Sequence, residues 1–461
     1  MENDFRTASK RFWTTVRRLR KGKQCTVNTV YSGDGVLLTS TRDVVDRWKE
    51  YFEDLLNPTS MPSNEEAGPG DLGIGSHISG AEVAEVVKKL LGGKAPGVDE
   101  IRQTGVVVPL FKKGDRRVCS NHRGITLLSL PGKVYSGVLE RRVRRIVEPR
   151  IQEEQCGFRP GRGTVDQLYT LSRVFEGAWE FAQPVHMCFV DLEKASDRGV
   201  LCGVLRDYGV PGPLIRAVRS LYDRCPEFGP HCWQISRCSP GVEGVRFGDL
   251  RIGSLLFADD VVLLASSARD LQLSLDRFAA ACEAAGMKIS TSKSEAMEEI
   301  LPQVEEFKYL GILFTSEGRM EQEVDRRISA ASAVMRTLHR SVVVKRGVTL
   351  NLPGERDRVR SSAIREELGV EPLLLRVERS QMRWLGHLVR MPPGRLPGAV
   401  FRACPSGRRP PGRPRKRWRD YVSRLAWKCL GIPPDELEEV AVEREVWASL
   451  LRLLSPRPDP G

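Results

Sequence analysis

Two aspartates interrupt an apolar stretch, GSLLFADDVVLLASS, at residues 253–267. The runs on either side, LLF at 255–257 and VVLL at 261–264, are short and rich in branched residues, a pattern typical of buried strands. We therefore predict two strands with Asp259 and Asp260 in the turn between them. An ionised carboxylate is disfavoured in apolar surroundings unless it is paired, hydrogen-bonded or bound to a metal. A plain turn and a metal site both explain the pair at this point.

The composition points to a polyanionic partner. The 461 residues include 72 Lys and Arg against 59 Asp and Glu, which gives a net charge of +13, and such a balance is typical of proteins that bind nucleic acid. The eleven cysteines contain no C-x-x-C pair and no signal-like segment opens the chain, so we expect an intracellular location, in the nucleus and cytoplasm. No apolar run approaches about eighteen residues, and we expect no membrane span.

Shifts in composition divide the chain into five parts. These are a basic helical connector at 1–57, a flexible linker at 58–76, a mixed part at 77–318, a helical region at 319–373 and a basic C-terminal region at 374–461. In the mixed part, helical stretches alternate with short apolar runs such as GVVVPLF and HMCFVDL, which predicts an α/β fold. Helical spacing of apolar residues predicts helices in RDVVDRWKEYFEDLL and MEQEVDRRISAASAVMRTLHR.

A third aspartate stands at the end of another strand-like run. In MCFVDLEKASD, Asp191 follows three apolar residues. If the two strand ends are neighbours, Asp191, Asp259 and Asp260 converge, and three carboxylates can hold two Mg²⁺ ions roughly 4 Å apart, as polymerases do. Taken alone, an aspartate at this position is more often a strand-end or helix-capping residue than a metal ligand.

The order of several motifs resembles that of one family. FADD after an apolar run, preceded by VDLEKASD, resembles the palm of the reverse transcriptases of non-LTR (LINE-type) retrotransposons. Further segments resemble that family in the same order: GKAPGVDEI (93–101), VVVPLFKKGD (106–115), NHRGITLLS (121–129), QCGFRPGRGTVDQL (155–168), GMKISTSKSE (286–295) and FKYLGILF (307–314). The C-terminal RWLGHLVRMPPGRLP and GRPRKRWRD resemble segments that follow the polymerase in such elements.

The resemblance implies a fold and an activity. The fold is a right-hand polymerase, with fingers and an α+β palm at 77–318, a thumb-like region at 319–373 and helical flanking regions. The activity is RNA-directed DNA synthesis, with an RNA template, a DNA primer and dNTPs as partners. Two Mg²⁺ ions are the implied cofactors, with Mn²⁺ as the alternative ion.

The resemblance also implies roles for single residues. Asp191 and Asp259 would be the principal metal ligands with Asp260 beside them, and Lys293 would protonate the leaving pyrophosphate. Cations and a turn would face the triphosphate or the template; these are Lys112, Lys113, Arg123, Gly157, Phe158, Arg159 and Gly161. Solvated surface cations and a Pro-Gly turn are the alternative explanations.

Three features depart from the family pattern. The family has an aromatic residue five positions after the first catalytic aspartate, where this chain has Ser196, so we expect weaker discrimination against ribonucleotides. A Gly-x-x-Gln-Gly-x-x-x-Ser-Pro block, which positions template and base, is missing between Leu221 and Leu250, and the link between the blocks at 93–101 and 106–115 is shortened. The chain thus resembles a truncated or internally deleted copy. The competing hypothesis is a catalytically inactive protein that retains nonspecific nucleic-acid binding.

A cluster of cations marks the C-terminal region. The segment GRRPPGRPRKRW contains Arg408, Arg409, Arg413, Arg415, Lys416 and Arg417. We predict nonspecific contact with nucleic acid, with Arg side chains in a narrow groove and an affinity that falls steeply with salt. A solvated linker and a nuclear-import signal are the alternatives.

Overall fold

The structure is a computed structural model, and it describes most of the chain. The described residues are 29–56, 78–89, 106–112, 114–128, 130–192, 198–222, 244–284, 289, 295–296, 306–315, 321–338, 371–403, 405, 409–411 and 417–454. They form two compact units, one from residues 1–149 and 196–229 and one from residues 150–195 and 230–461. The predicted linker at 58–76 and the basic start of the predicted connector, residues 1–28, lie outside the described residues.

Helices and short strands alternate along the chain. The helices are α1 (Thr41–Leu56), α2 (Gly80–Lys89), α3 (Leu130–Val147), α4 (Thr164–Phe181), α5 (Arg198–Asp207), α6 (Gly212–Tyr222), α7 (Ala268–Ala284), α8 (Glu321–Leu338), α9 (Leu373–Val389), α10 (Leu396–Arg402), α11 (Trp418–Leu430), α12 (Leu437–Val442) and α13 (Arg444–Arg452). The strands are β1 (Val30–Tyr31), β2 (Leu37–Leu38), β3 (Val106–Phe111), β4 (His122–Leu127), β5 (His186–Asp191), β6 (Val245–Phe247), β7 (Leu250–Ile252), β8 (Ser254–Phe257), β9 (Asp260–Ala265), β10 (Glu295–Ala296), β11 (Glu306–Tyr309) and β12 (Ile312–Thr315).

In the first unit, strands β3 and β4 form an antiparallel ribbon. The buried ring of His122 packs edge to face on Trp48 and Phe111, with centroid distances of 4.8 and 5.4 Å. Helix α2 packs on α3, where Arg142 donates hydrogen bonds of 2.8 and 2.9 Å to the two carboxylate oxygens of Glu82. This bidentate pair fixes α2 against α3.

The second unit contains a four-stranded antiparallel sheet with the order β10-β5-β9-β8. Successive residues of a strand face opposite sides of a sheet. On one side, Val261 and Leu263 join Phe278 of α7 in an apolar cluster. On the other side, Val262 and Leu264 join an apolar cluster that includes residues of α4. Because both faces are covered, the hairpin strands carry consecutive apolar residues, at 255–257 and 261–265, rather than alternating ones.

The C-terminal helices pack together on α4. Helices α9, α11, α12 and α13 share one apolar cluster, which includes Tyr169 of α4 and the fully buried Trp447. Tyr169 packs edge to face on Trp384 and Trp418, at centroid distances of 5.7 and 5.3 Å. A methyl group on Gly386 would lie 2.5 Å from the Trp447 ring, so only glycine allows α9 and α13 to approach this closely.

The predicted mixed fold is confirmed as α+β. Every ladder among the described strands is antiparallel, so the doubly wound parallel arrangement that an alternating α/β pattern can produce is not present in this part of the chain. The predicted hairpin at 255–264 is β8 and β9, and the two predicted helices are α1 and α8. None of the described helices combines the length and apolarity that a bilayer span needs.

Candidate active site

The hairpin of β8 and β9 carries the aspartate pair at its tip. Phe257 and Asp260 close the hairpin as opposite residues, and Ala258 in the turn has a left-handed backbone with φ 58°. Asp259 and Asp260 are both exposed. The hairpin thus places two carboxylates in solvent at the end of a buried sheet. The free-energy cost of desolvating these charges is therefore avoided.

Strand β5 brings the third aspartate to the same end of the sheet. The register of β5 and β9 places Asp191 directly opposite Asp260. Opposite residues on antiparallel strands have Cβ atoms about 4.5–5.5 Å apart. The side chain of Asp191 lies outside the described part of the structure, so the observation concerns backbone positions. The backbones of Asp191, Asp259 and Asp260 lie at one end of the sheet, as the sequence predicts.

The buried side chain of Gln155 is hydrogen-bonded to the turn between β8 and β9. The side-chain oxygen of Gln155 accepts hydrogen bonds from the amides of Gly157, at 2.7 Å, and Ala258, at 3.1 Å. Gln167, also buried, donates to the carbonyl of Leu256 at 3.0 Å and to that of Glu154 at 2.6 Å. The segment before α4 is therefore hydrogen-bonded to the hairpin that carries the aspartates.

Gly157 lies against the turn itself. A methyl group on this residue would be 2.1 Å from the Ala258 amide nitrogen, a distance at which atoms overlap. The structure therefore supplies a reason for glycine at 157 that needs no ligand. The predicted approach of Gly157 and Gly161 to a template strand stays a prediction.

The two residues after Gly157 have opposite environments. The Phe158 ring is 74% exposed on a left-handed backbone with φ 57°, an uncommon conformation for a bulky residue. Arg159 is buried, and its guanidinium donates to the carbonyls of Gln152 at 2.8 Å and Gln155 at 3.0 Å. Arg159 thus fixes the loop in this structure, and Phe158 is the residue presented to solvent beside the turn. Template contact by either residue stays a prediction.

Tyr309 is a residue that the sequence analysis did not single out. Its ring is buried beside Phe189 of β5, with a centroid distance of 5.9 Å, and its hydroxyl has no hydrogen-bond partner among the described residues. Burial raises the pKa of Tyr309 above its usual value, and the negative charge of Asp260 raises it further. The hydroxyl therefore stays protonated. Only the FKYLG motif hinted at this residue.

The predicted cations fall in several parts of the chain. Lys112 is exposed in the first unit, and Arg123 stands opposite Leu110 in the ribbon of β3 and β4, with its side chain outside the described part. Lys113, Ser196 and Lys293 lie outside the described residues. Their predicted roles stay predictions.

The C-terminal cation cluster is partly described. Arg409 and Arg417 both bind the buried carboxylate of Glu180 at the end of α4, with N–O distances of 2.5 and 2.7 Å. Burial alone would raise the pKa of Glu180, but the hydrogen bonds and charges of the two arginines outweigh burial and lower it. Contact of Arg409 and Arg417 with nucleic acid stays a prediction, and the other cluster members, Arg408, Arg413, Arg415 and Lys416, lie outside the described residues.

The residues present fit a hard divalent cation. Such ions prefer carboxylate oxygens, and two exposed aspartates offer these next to the position of Asp191. Asp259 lies in the turn as predicted, whereas Asp260 is the first residue of β9, because it pairs with Phe257. Among the side chains that the structure describes, no three His, Cys, Asp or Glu groups lie close enough to hold a metal; that of Asp191 is not one of them. The donor chemistry and the backbone register are thus the observations in favour of a metal site.

Comparison with known proteins agrees with the motifs. Residues 234–314 match the family described as reverse transcriptase (RNA-dependent DNA polymerase). This match contains Asp259, Asp260 and Lys293, whereas Asp191 precedes it.

Three curated proteins of transposons are similar to the chain. The "Transposon TX1 uncharacterized 149 kDa protein" of Xenopus laevis is 20% identical over 356 residues, covering 61% of this chain and 27% of the relative. The "Probable RNA-directed DNA polymerase from transposon BS" of Drosophila melanogaster is 26% identical over 248 residues, covering 42% and 27%. The "Retrovirus-related Pol polyprotein from type-2 retrotransposable element R2DM", also of Drosophila melanogaster, is 24% identical over 244 residues, covering 40% and 23%.

The matches thus span about a quarter of the length of these relatives. They agree with the motifs quoted from the sequence, since the matched segment and the names of the relatives point to the same family. Residues 234–314 are thus similar to reverse transcriptases, and the chain is similar to proteins that transposons encode.

Proposed function

We propose that the chain is an RNA-directed DNA polymerase of a LINE-type retroelement. The observation that carries the proposal is the register that sets Asp191 opposite Asp260, beside Asp259, in a chain with a reverse-transcriptase segment. In this proposal residues 77–318 form the fingers and palm, 319–373 a thumb-like region and 374–461 a basic C-terminal region. The predicted nuclear and cytoplasmic location is part of the same proposal.

The proposed reaction is nucleotidyl transfer. The 3′-hydroxyl oxygen of a DNA primer loses its proton to solvent and bonds to the α-phosphorus of a dNTP, and the bond from that phosphorus to pyrophosphate breaks. Asp191, Asp259 and Asp260 would hold the cations, two Mg²⁺ or Mn²⁺. When bound, such ions stabilise the attacking and leaving oxygens.

The other residues of the proposed site bind and orient the substrates. Lys293 would give its proton to the leaving pyrophosphate. The exposed ring of Phe158 suits stacking on a template base, because every base offers a flat apolar face. Cations from the block at 106–123 would bind the triphosphate through charge-assisted hydrogen bonds; these are Lys112, Lys113 and Arg123.

A second function is favoured by a specific observation. The net charge of +13 supports nucleic-acid binding with or without catalysis, and the block that would position the template is missing between Leu221 and Leu250. We therefore hold an inactive nucleic-acid-binding protein as the alternative.

Primer extension separates the two proposals. Purified chain, a primed RNA template, dNTPs and Mg²⁺ are combined, and the double variant Asp259→Asn/Asp260→Asn is compared with Asp249→Asn, a single exposed aspartate in the turn of β6 and β7. The polymerase proposal predicts extension by wild type and by Asp249→Asn but not by the double variant. Absence of extension by folded wild type that still binds the primed template would favour the alternative.

A further inference from the structure

We infer that Arg395, in the C-terminal region, is a positioning residue of the candidate active site. It fixes the segment of residues 153–163, here named the support loop, and through that loop the turn that carries Asp259. The inference deepens the proposed polymerase function and rests on it for its catalytic consequence.

Arg395 binds the support loop and the helix that follows it. Its Nη2 donates to the Asp166 carboxylate at 3.1 Å and to the Gly161 carbonyl at 3.2 Å, and its Nε lies 3.8 Å from the Glu153 carboxylate. The side chain of Arg395 is 14% exposed and that of Asp166 only 3%. A planar guanidinium that contacts three groups at once sets an orientation that a flexible lysine would not reproduce.

The start of α4 fixes the position of the Asp166 carboxylate. This carboxylate accepts the Gly163 amide at 3.1 Å at the start of α4, where the helix dipole favours negative charge. His387 of α9 lies 3.8 Å from the same carboxylate. Arg395 therefore docks on an anion whose position α4 already fixes.

The support loop transmits this position to the turn. Glu153, the acid near Arg395, also pairs with Arg162, at N–O distances of 2.5 and 2.7 Å. Two residues further on, Gln155 accepts the amide of Ala258, which directly precedes Asp259. The contact between Arg395 and Glu153, the backbone from Glu153 to Gln155 and the hydrogen bond from Ala258 to Gln155 thus join Arg395 to the aspartate turn.

The backbone of Arg395 is itself fixed by packing. The residue precedes α10, which packs on α4. In α10, Val400 is fully buried in the apolar cluster that also holds Leu171 of α4 and Val262 of β9. The C-terminal region is therefore built into the unit that carries the aspartates.

Substitution of Arg395 tests the inference. Arg395→Gln and Arg395→Lys are compared with Arg402→Gln, a control at the end of the short helix α10 whose guanidinium donates to the Met391 carbonyl at 3.2 Å. Two quantities are measured, the hydrogen exchange of the amides at 155–158 and 256–260, and the kcat and KM for dNTP on a primed RNA template.

We expect both Arg395 variants to speed amide exchange in these two segments and to lower kcat by about tenfold or more, with KM changed less. Arg402→Gln should behave as wild type. Asp166→Asn should likewise speed amide exchange and lower kcat. The double variant with Arg395→Gln should lower kcat by less than the product of the two single reductions, because the two residues share one interaction.

The two readouts separate the inference from the proposed function. Faster exchange in the Arg395 variants with no extension by wild type would keep the positioning role and reject the polymerase. Unchanged amide exchange at 155–158 and 256–260 in the Arg395 variants would overturn the inference. A fall in kcat that equals the fraction of unfolded protein and also occurs in Arg402→Gln would overturn it as well.

Discussion

Gly157 and Ala258 lie so close that a methyl group on Gly157 would be 2.1 Å from the Ala258 amide nitrogen. The two residues are about a hundred positions apart in the chain, and the second directly precedes the aspartate pair. The close approach makes the loop before α4 a physical support for the candidate catalytic turn. Any side chain at 157 must displace the loop or the turn.

Gly157→Ala is therefore expected to reduce both stability and activity. Overpacking of this kind costs about 1–3 kcal/mol, and displacement of the turn should lower the rate of nucleotide incorporation. The free energy of unfolding in urea and the incorporation rate measure the two effects.

Gly203→Ala is the matched control for this change. Gly203 lies inside α5, where a methyl group would meet no heavy atom within 4 Å beyond its chain neighbours and its own helix backbone, and the backbone is not left-handed. Alanine should therefore be neutral or stabilising by up to about 1 kcal/mol. Equal stability and activity of Gly157→Ala and wild type would show that the close approach is absent in solution.

The carboxylate of Glu180 should contribute stability that depends on pH. Its pKa is lowered in the folded protein because the hydrogen bonds from Arg417 and Arg409 outweigh burial. A lowered pKa gives stability that is present above the usual glutamate pKa of about 4.3 and is lost as the pH falls through the folded value. We expect Glu180→Gln to cost about 2 kcal/mol at pH 7, the scale of hydrogen bonds to charged groups.

The measurement is the unfolding free energy of wild type and Glu180→Gln between pH 7 and pH 3. Their difference should shrink below about pH 4. Glu283→Gln, at an exposed position of α7, should match wild type throughout. A Glu180→Gln difference that stayed constant over this range would contradict the assignment.

Tyr309→Phe should leave stability unchanged or raise it. The hydroxyl of Tyr309 is buried with no hydrogen-bond partner among the described residues, and an unsatisfied buried polar group costs about 1–3 kcal/mol. Tyr169 has the same property and provides a second test with phenylalanine. Urea unfolding measures both, and a clear loss of stability in Tyr309→Phe would show that the hydroxyl binds a group near Asp260.

Some cations of the basic C-terminal cluster should bind nucleic acid, whereas others should stabilise the fold. We expect the triple change of Arg413, Arg415 and Lys416 to glutamine to weaken DNA binding and to reduce the slope of log affinity against log salt by about 2–3. Arg409→Gln and Arg417→Gln should mainly reduce stability, because these residues bind Glu180. Fluorescence anisotropy at several salt concentrations tests this, and an unchanged slope in the triple variant would contradict it.

The sequence predicted the local elements of the site better than the contacts that support them. Apolar runs around Asp259 and Asp260 were sufficient to predict the hairpin, because strand patterning is a local property. The position of Asp191 next to Asp259 and Asp260 could be predicted only by assuming that the ends of the two strand-like runs are neighbours. In contrast, Gln155 and Arg395 act through partners about a hundred and about two hundred and thirty positions away. No periodicity in one segment encodes such pairings.

The C-terminal cations show the same limit. Composition alone treated Arg409 and Arg417 as members of one basic patch, whereas the structure pairs both with Glu180. Glu180 is one of three acids in an amphipathic helix, where an exposed position is the ordinary expectation for an acid. Only the packed structure distinguishes a buried ion pair from a solvated charge.

The most direct test of the central claim is the binding of Mn²⁺, followed by electron paramagnetic resonance, to wild type and to Asp191→Asn, Asp260→Asn and Asp249→Asn. If Asp191 and Asp260 share one cation site, each of their variants should lose at least about tenfold in affinity, whereas Asp249→Asn should bind as wild type does. Equal Mn²⁺ affinity in wild type and Asp191→Asn would contradict the shared site and, with it, the proposed active site.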